Sequence, residues 1–215
     1  MSNQLEVPAH KPEFWDEASK QLMRRDRILR KIIPAYQSDS LKPPFPPFMT
    51  LARAIISQQV STKAADSIWG RFTGLCGRRP SPAAVLKHDL DTLRSVGLSR
   101  RKAEYVSDLA VRFAERKVRP AAWAGMDDEE VIASLCNIRG IGRWTAEMFL
   151  IFNLQRPNVL PLDDAGLIKA ISLHYFSGEP VSRFEAREVA QAWAPWRTVA
   201  TWYMWRSLDS GAQSH

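Results

Sequence analysis

No stretch of this 215-residue chain alternates apolar and polar residues over the length of a strand, and no Asn-Gly pair marks a tight β-hairpin. A half-buried strand needs an apolar period of two, whereas the buried face of a helix needs about 3.6. A chain that offers only the second period is restricted to helix packed on helix. Trp15, Ala18, Leu22, Ile28, Leu29, Ile32 and Ile33 keep that period from Phe14 to Ile33, where Pro34 stops it. The proline-rich "KPPFPPF" (42–48) cannot continue a helix and forms a rigid connection. "MTLARAIISQQVS" then resumes the pattern with Leu51, Ile55 and Val60 on its apolar side. A further helix runs from about Lys63 to Phe72 behind a cap at Ser61 or Thr62. Ser81 followed by Pro82 is a helix start. Segments at 82–87, 89–95, 99–117, 128–136, 143–152, 165–174, 182–193 and 195–207 complete an all-α expectation.

Composition removes several classes of function. The two cysteines, Cys76 and Cys136, form no CxxC pair, and histidines 10, 88, 174 and 215 have no ligand spacing. A disulfide framework, a structural zinc site and an iron–sulfur cluster are therefore disfavoured, and no cofactor is expected. No apolar run of about 18 residues and no signal-like N-terminus is present, which predicts a cytoplasmic chain with no membrane partner, nucleoid-associated if it binds DNA. The formal charge of +7 favours a polyanionic partner. Between Arg94 and Arg119 eight basic residues face three acidic ones, and "GLSRRKAEY" sets three cations at a helix start. The helix dipole alone would prefer acids there, so a phosphate backbone explains the choice, and a solvated face explains it almost as well.

The most informative stretch is "LCNIRGIGRWTAEMFL", 135–150. Gly140 and Gly142 allow a sharp turn and leave room for a close neighbour, and a helix starts directly behind them. Amides from Ile138 through Gly140, Gly142 and Arg143 form a candidate grip for one phosphate, with Arg143 adding charge and Ile141 anchoring the turn in the core. The other reading is a plain helix–helix corner. In either case the turn reads no base sequence.

On these residues the chain resembles the helix-hairpin-helix DNA glycosylases of base excision repair. The likeness is closest to the alkylation-repair branch, of the 3-methyladenine DNA glycosylase II type. Besides the hairpin it rests on "RPNVLPLDDAGLIKA" (156–170), "LARAIISQQVSTKAA" upstream and "WAPWRTVATWYMWR" downstream, and it covers residues 45–207. It implies a carboxylate after the hairpin, carried here onto Asp164, that stabilises positive charge on a deoxyribose losing its base or orients an attacking water. The adjacent Asp163 is expected to cap the following helix, beside the substrate. Bifunctional relatives carry a lysine where this chain has Trp144. The resemblance therefore implies a monofunctional enzyme that uses water, has no lyase activity and leaves an abasic site.

For substrate contacts the resemblance points to Trp205 stacking on a cationic alkylated purine, with Trp144 at the pocket wall. Met148 stands where close relatives carry tyrosine, which puts the breadth of substrate range in question. Gln59 takes the position that fills the gap left by an everted nucleotide, with Gln58 supporting the loop. Trp193, Trp196, Trp202 and Tyr203 are assigned to the core.

The implied architecture is two-lobed, without the mixed-sheet N-terminal domain of longer relatives. It has an arm (1–13), an N-terminal helix and connector (14–44) packed on the C-terminal lobe, a lobe at 45–125, a catalytic lobe at 126–207 and a tail (208–215). The hairpin and Asp164 are expected at the junction of the lobes. The expected partner is double-stranded DNA with a damaged base, bound by a monomer. A structural alkali-metal ion on hairpin carbonyls is a further implication of the family. The competing readings are a glycosylase for a deaminated or mismatched base, a non-catalytic hairpin DNA-binding module, and a structural helical protein with a basic surface.

Overall fold

The computed structural model describes residues 11–209 and contains no strand among them. The expected arm and tail lie largely outside those residues. In chain order the helices are α1 (Trp15–Arg25), α2 (Leu29–Ile32), α3 (Pro47–Ser57), α4 (Thr62–Cys76), α5 (Pro82–Val85), α6 (Leu90–Ser95), α7 (Arg100–Ala114), α8 (Asp128–Cys136), α9 (Arg143–Phe152), α10 (Ala165–Tyr175), α11 (Arg183–Val189) and α12 (Arg197–Asp209). Short 3-10 helices occupy Ile33–Tyr36 and Pro120–Gly125. No described helix is long and apolar enough to cross a membrane.

The chain forms two compact units, one of Phe45–Phe149 and one of the segments up to Pro44 and from Leu150 on. The division falls within α9, so residues 126–149 group with 45–125 and not with the catalytic segment as the sequence reading had them. Trp123 explains part of this grouping: its ring meets Phe149 edge-on at 5.2 Å and is 2% exposed, so α9 is held beyond its midpoint by the 3-10 segment before α8.

In the central unit α7 packs on α3, α5 and α6. Ala103, Val106, Leu109 and Ala110 form its buried stripe, facing a core that includes Leu51, Ala52, Ile55 and Ile56 of α3. Phe48 meets Phe113 edge-on at 5.4 Å. The starts at Ser61 and Ser81 are capped as the sequence suggested, accepting from the amides of Ala64 and Ala84, and Ser99 likewise accepts from the Lys102 amide.

The terminal unit is built on aromatics. Trp15 of α1 packs edge-on against Trp202 of α12 at 5.3 Å, and its indole N–H donates to the Tyr203 hydroxyl. Trp193, Trp202 and Tyr203 are buried; Trp196 is half-buried, stacked on Phe14 with its N–H donated to Gln21.

The single helix expected from Phe14 to Ile33 is broken at Asp26. Its Oδ1 accepts from the amides of Ile28 and Leu29 at 2.8 and 2.9 Å, an aspartate turn that competes with helix continuation. Its Oδ2 accepts from the Tyr175 hydroxyl at 2.6 Å and the Trp193 indole at 3.2 Å. Burial and this carboxylate neighbour push the Tyr175 hydroxyl well above the ordinary tyrosine range. One buried carboxylate thus ties α2, α10 and the segment after α11. Removing it strands buried donors, a cost of about 3 kcal/mol. Asp26→Ala should lower the unfolding free energy by that amount in urea melts; a loss below about 1 kcal/mol would contradict this account.

Candidate functional site

The hairpin of the central unit is set by two glycines that do different work. Gly140 has φ +88°, and a Cβ there would stand 2.4 Å from Tyr105 Cδ2. The position needs glycine for its backbone and for its neighbour. Gly142 is not in the left-handed region, and a Cβ added to it would meet nothing within 4 Å. The first helical bond of α9 runs from the Ala146 amide to the Gly142 carbonyl at 3.0 Å. The amides from Gly142 to Thr145 therefore lie ahead of the helical ladder, and glycine brings no side chain to cap them. This is the geometry of an anion site with its approach left open.

Two residues assigned to that grip have other duties. Ile138 is 2% exposed; its amide donates to the Leu135 carbonyl and its carbonyl accepts from the Ile141 amide, so both its backbone groups are engaged. Arg143 forks onto both oxygens of Glu129 and reaches Glu147 at 3.1 Å. These carboxylates raise its already high pKa and largely neutralise its charge, which makes it a strut between α8 and α9. Ile141, 5% exposed, anchors the turn. An alkali-metal ion would have to use second lone pairs of turn carbonyls, since those of Ile138 and Gly140 already accept one bond each.

After α3 the chain runs through Gln58 to an exposed Gln59 at φ +56°, an uncommon conformation for a side-chain-bearing residue. Gln58 donates its side-chain amide to the Gly140 carbonyl at 2.8 Å and so fastens this loop to the hairpin.

In the terminal unit Asp164 is the N-cap of α10. Its Oδ1 accepts from the Leu167 amide and from the Trp205 indole N–H, both at 2.7 Å. Asp163, expected to be the cap, is instead exposed and paired with Arg183 at 2.6 Å. Trp205 stacks on Phe152 with ring centroids 5.7 Å apart and planes within 14°. A Cβ at Gly166 would sit 3.1 Å from Asp164 Oδ1 and 3.3 Å from the Trp205 ring, so glycine lets the indole reach the carboxylate.

The sequence reading did not single out Phe152. The available signal was spacing: Trp144, Met148 and Phe152 recur every fourth residue of α9, and Trp144 and Phe152 remain 44% and 43% exposed.

A family model described as HhH-GPD superfamily base excision DNA repair protein matches residues 52–195. The chain is 33% identical over 183 residues to DNA-3-methyladenine glycosylase 1 of Schizosaccharomyces pombe, covering 83% of this chain and 80% of that protein. It superposes on a crystal structure of a DNA-3-methyladenine glycosidase from Bacillus halodurans with TM-score 0.80 and 32% identity, covering 92% of each chain. It also superposes on the S. pombe 3-methyladenine DNA glycosylase in complex with abasic DNA, with TM-score 0.77 and 28% identity over 90% of this chain and 97% of that one.

The two glycines should separate in experiment. Gly140→Ala must strain the turn and displace Tyr105, and is expected to cost about 2 kcal/mol of stability. Gly142→Ala should leave the melting temperature unchanged but weaken duplex binding about tenfold, because its methyl group occupies the approach to the first-turn amides. Equal effects of the two variants on stability would refute this division.

Proposed function

The chain belongs to the HhH-GPD superfamily of base excision DNA repair proteins, and on that premise we propose that it hydrolyses the N-glycosidic bond of alkylated purines, 3-methyladenine foremost and 7-methylguanine with it, in duplex DNA. It acts as a glycosylase on damaged bases. The observation that carries it is the carboxylate of Asp164, held by a backbone amide and by the N–H of an indole that is itself stacked on Phe152.

A purine alkylated at N3 or N7 carries positive charge and departs as a neutral base when the C1′–N bond breaks, so no acid need protonate it. Positive charge passes to the sugar ring, where a fixed carboxylate stabilises it. Water attacks C1′ and loses a proton, and an abasic site remains. Asp164 is oriented for this task by both its donors. The electron-rich Trp205–Phe152 stack suits a cationic base better than a neutral one. The position at which lyase relatives carry their amine is Trp144, whose indole cannot form a Schiff base. Gln59, on its exposed turn, is suited to fill the gap left by the everted nucleotide and to hydrogen-bond the orphaned base. Met148 in place of an aromatic is compatible with a narrower substrate range.

The test is release of free base from duplexes carrying 3-methyladenine or 7-methylguanine, with strand breaks scored before and after alkali. Wild type should release base and give breaks only after alkali. Asp164→Asn should lose at least about 100-fold, Trp205→Phe about tenfold, and Asp163→Asn less than about twofold. Release from a deaminated base in preference to the alkylated ones would move the assignment to another lesion. Binding without release from any lesion would leave a hairpin DNA-binding module.

A further inference from the structure

The three consecutive cations at the start of α7 are not equivalent. Arg100 and Arg101 are exposed, and Arg100 pairs with Glu104 in the next turn. Lys102 is half-buried, and its ammonium donates to the main-chain carbonyls of Ile56 and Gln58 at 2.7 and 2.6 Å. The first lies in the last turn of α3 and the second belongs to its C-cap residue. Both are carbonyls that the end of a helix leaves without helical partners, at the negative end of its dipole. Burial pulls the Lys102 ammonium below the ordinary lysine pKa, the direction expected for a cation drawn out of solvent to serve a fixed contact.

The residue that follows these carbonyls is Gln59, at φ +56°. A glutamine has no intrinsic preference for that region, so the turn must be held from outside. Two side chains hold it. Gln58 bonds forward to Gly140 of the hairpin, and Lys102 bonds the main chain on the α3 side. One helical turn along α7, Tyr105 packs on Gly140, so one helix braces the loop and the hairpin together.

Resting on the glycosylase reading above, we propose that Lys102 is a positioning residue: through the carbonyls of Ile56 and Gln58 it fixes the left-handed turn that presents Gln59 to the gap left by the everted nucleotide. It does this without touching DNA. A basic residue at this point of the sequence reads first as a phosphate contact, and the two roles give opposite results.

The experiment uses the full-length protein and a duplex with 7-methylguanine, the partner strand carrying 2-aminopurine beside the lesion to report unstacking. Wild type, Lys102→Met, Gln59→Ala and the double variant are compared for single-turnover base release, fluorescence and the salt dependence of duplex binding. Lys102→Met and Gln59→Ala are each expected to slow release and eversion about tenfold. The double variant should be no slower than either single one, as for two groups acting through one element. The slope of log affinity against log salt should stay at the wild-type value. A slope reduced by about one would mark a phosphate contact and overturn the proposal, as would independent, multiplying losses in the double variant. Should Lys102→Met not fold, Lys102→Gln, an uncharged side chain too short to keep both carbonyl contacts, serves under the same criteria. Wild type without base release would refute the glycosylase reading itself; normal release by wild type and Lys102→Met alike would refute only the positioning role.

Discussion

A single oxygen, Oδ1 of Asp164, takes two donors at 2.7 Å, one from the backbone of α10 and one from Trp205 on α12. The terminal unit is arranged so that these donors converge. Gly166 removes the side chain that would crowd the indole, Phe152 backs the indole's face, and α12 is fixed in turn by Trp15 against Trp202 and Tyr203. A residue proposed for chemistry is therefore also a helix cap. An asparagine at this position keeps an oxygen for both donors while removing the charge and turning the other oxygen into an NH2 group, which separates capping from charge.

The central unit fixes its own functional elements by the same kind of cross-bracing. The hairpin turn is shaped by Gly140 against Tyr105, the loop carrying Gln59 is fastened to that turn by Gln58, and Lys102 holds the other side of the loop. Arg143 contributes a strut through Glu129 and Glu147 and not a free charge. What remains to meet a phosphate at the hairpin is mainly backbone: amides at the start of α9, beside an open Gly142. On the proposed function, such a site would grip DNA without reading its sequence, as a search for sparse lesions requires.

Much of this was legible in the sequence. Periodicity and the absence of alternation gave an all-helical chain, and the bounds of α8 and α9 and the caps at Ser61 and Ser81 follow from local rules. The hairpin and Asp164 were visible as pattern and resemblance. The failures share a cause: each depended on a partner distant in sequence. Asp26 lay unremarked within the helix expected from Phe14 to Ile33, because its partners Tyr175 and Trp193 are far along the chain. Asp163 and Asp164 are indistinguishable as caps until Arg183 takes the first and Trp205 the second. Arg143 was assigned to the phosphate grip without its fork onto Glu129, fourteen residues earlier, in view. Lys102 was one of three similar cations until the end of α3 was placed beneath it. Phe152 alone had a local signal, its four-residue spacing from Trp144 and Met148.

The central claim is electrostatic: Asp164 stabilises positive charge on the sugar. It is tested most directly by equilibrium binding to two duplexes, one with a neutral tetrahydrofuran abasic site and one with a cationic pyrrolidine in its place. Wild type is expected to prefer the cationic duplex by about 100-fold, and Asp164→Asn to lose that preference while keeping its affinity for the neutral one. An equal preference in wild type and Asp164→Asn would show that the charge is stabilised elsewhere and would contradict the account.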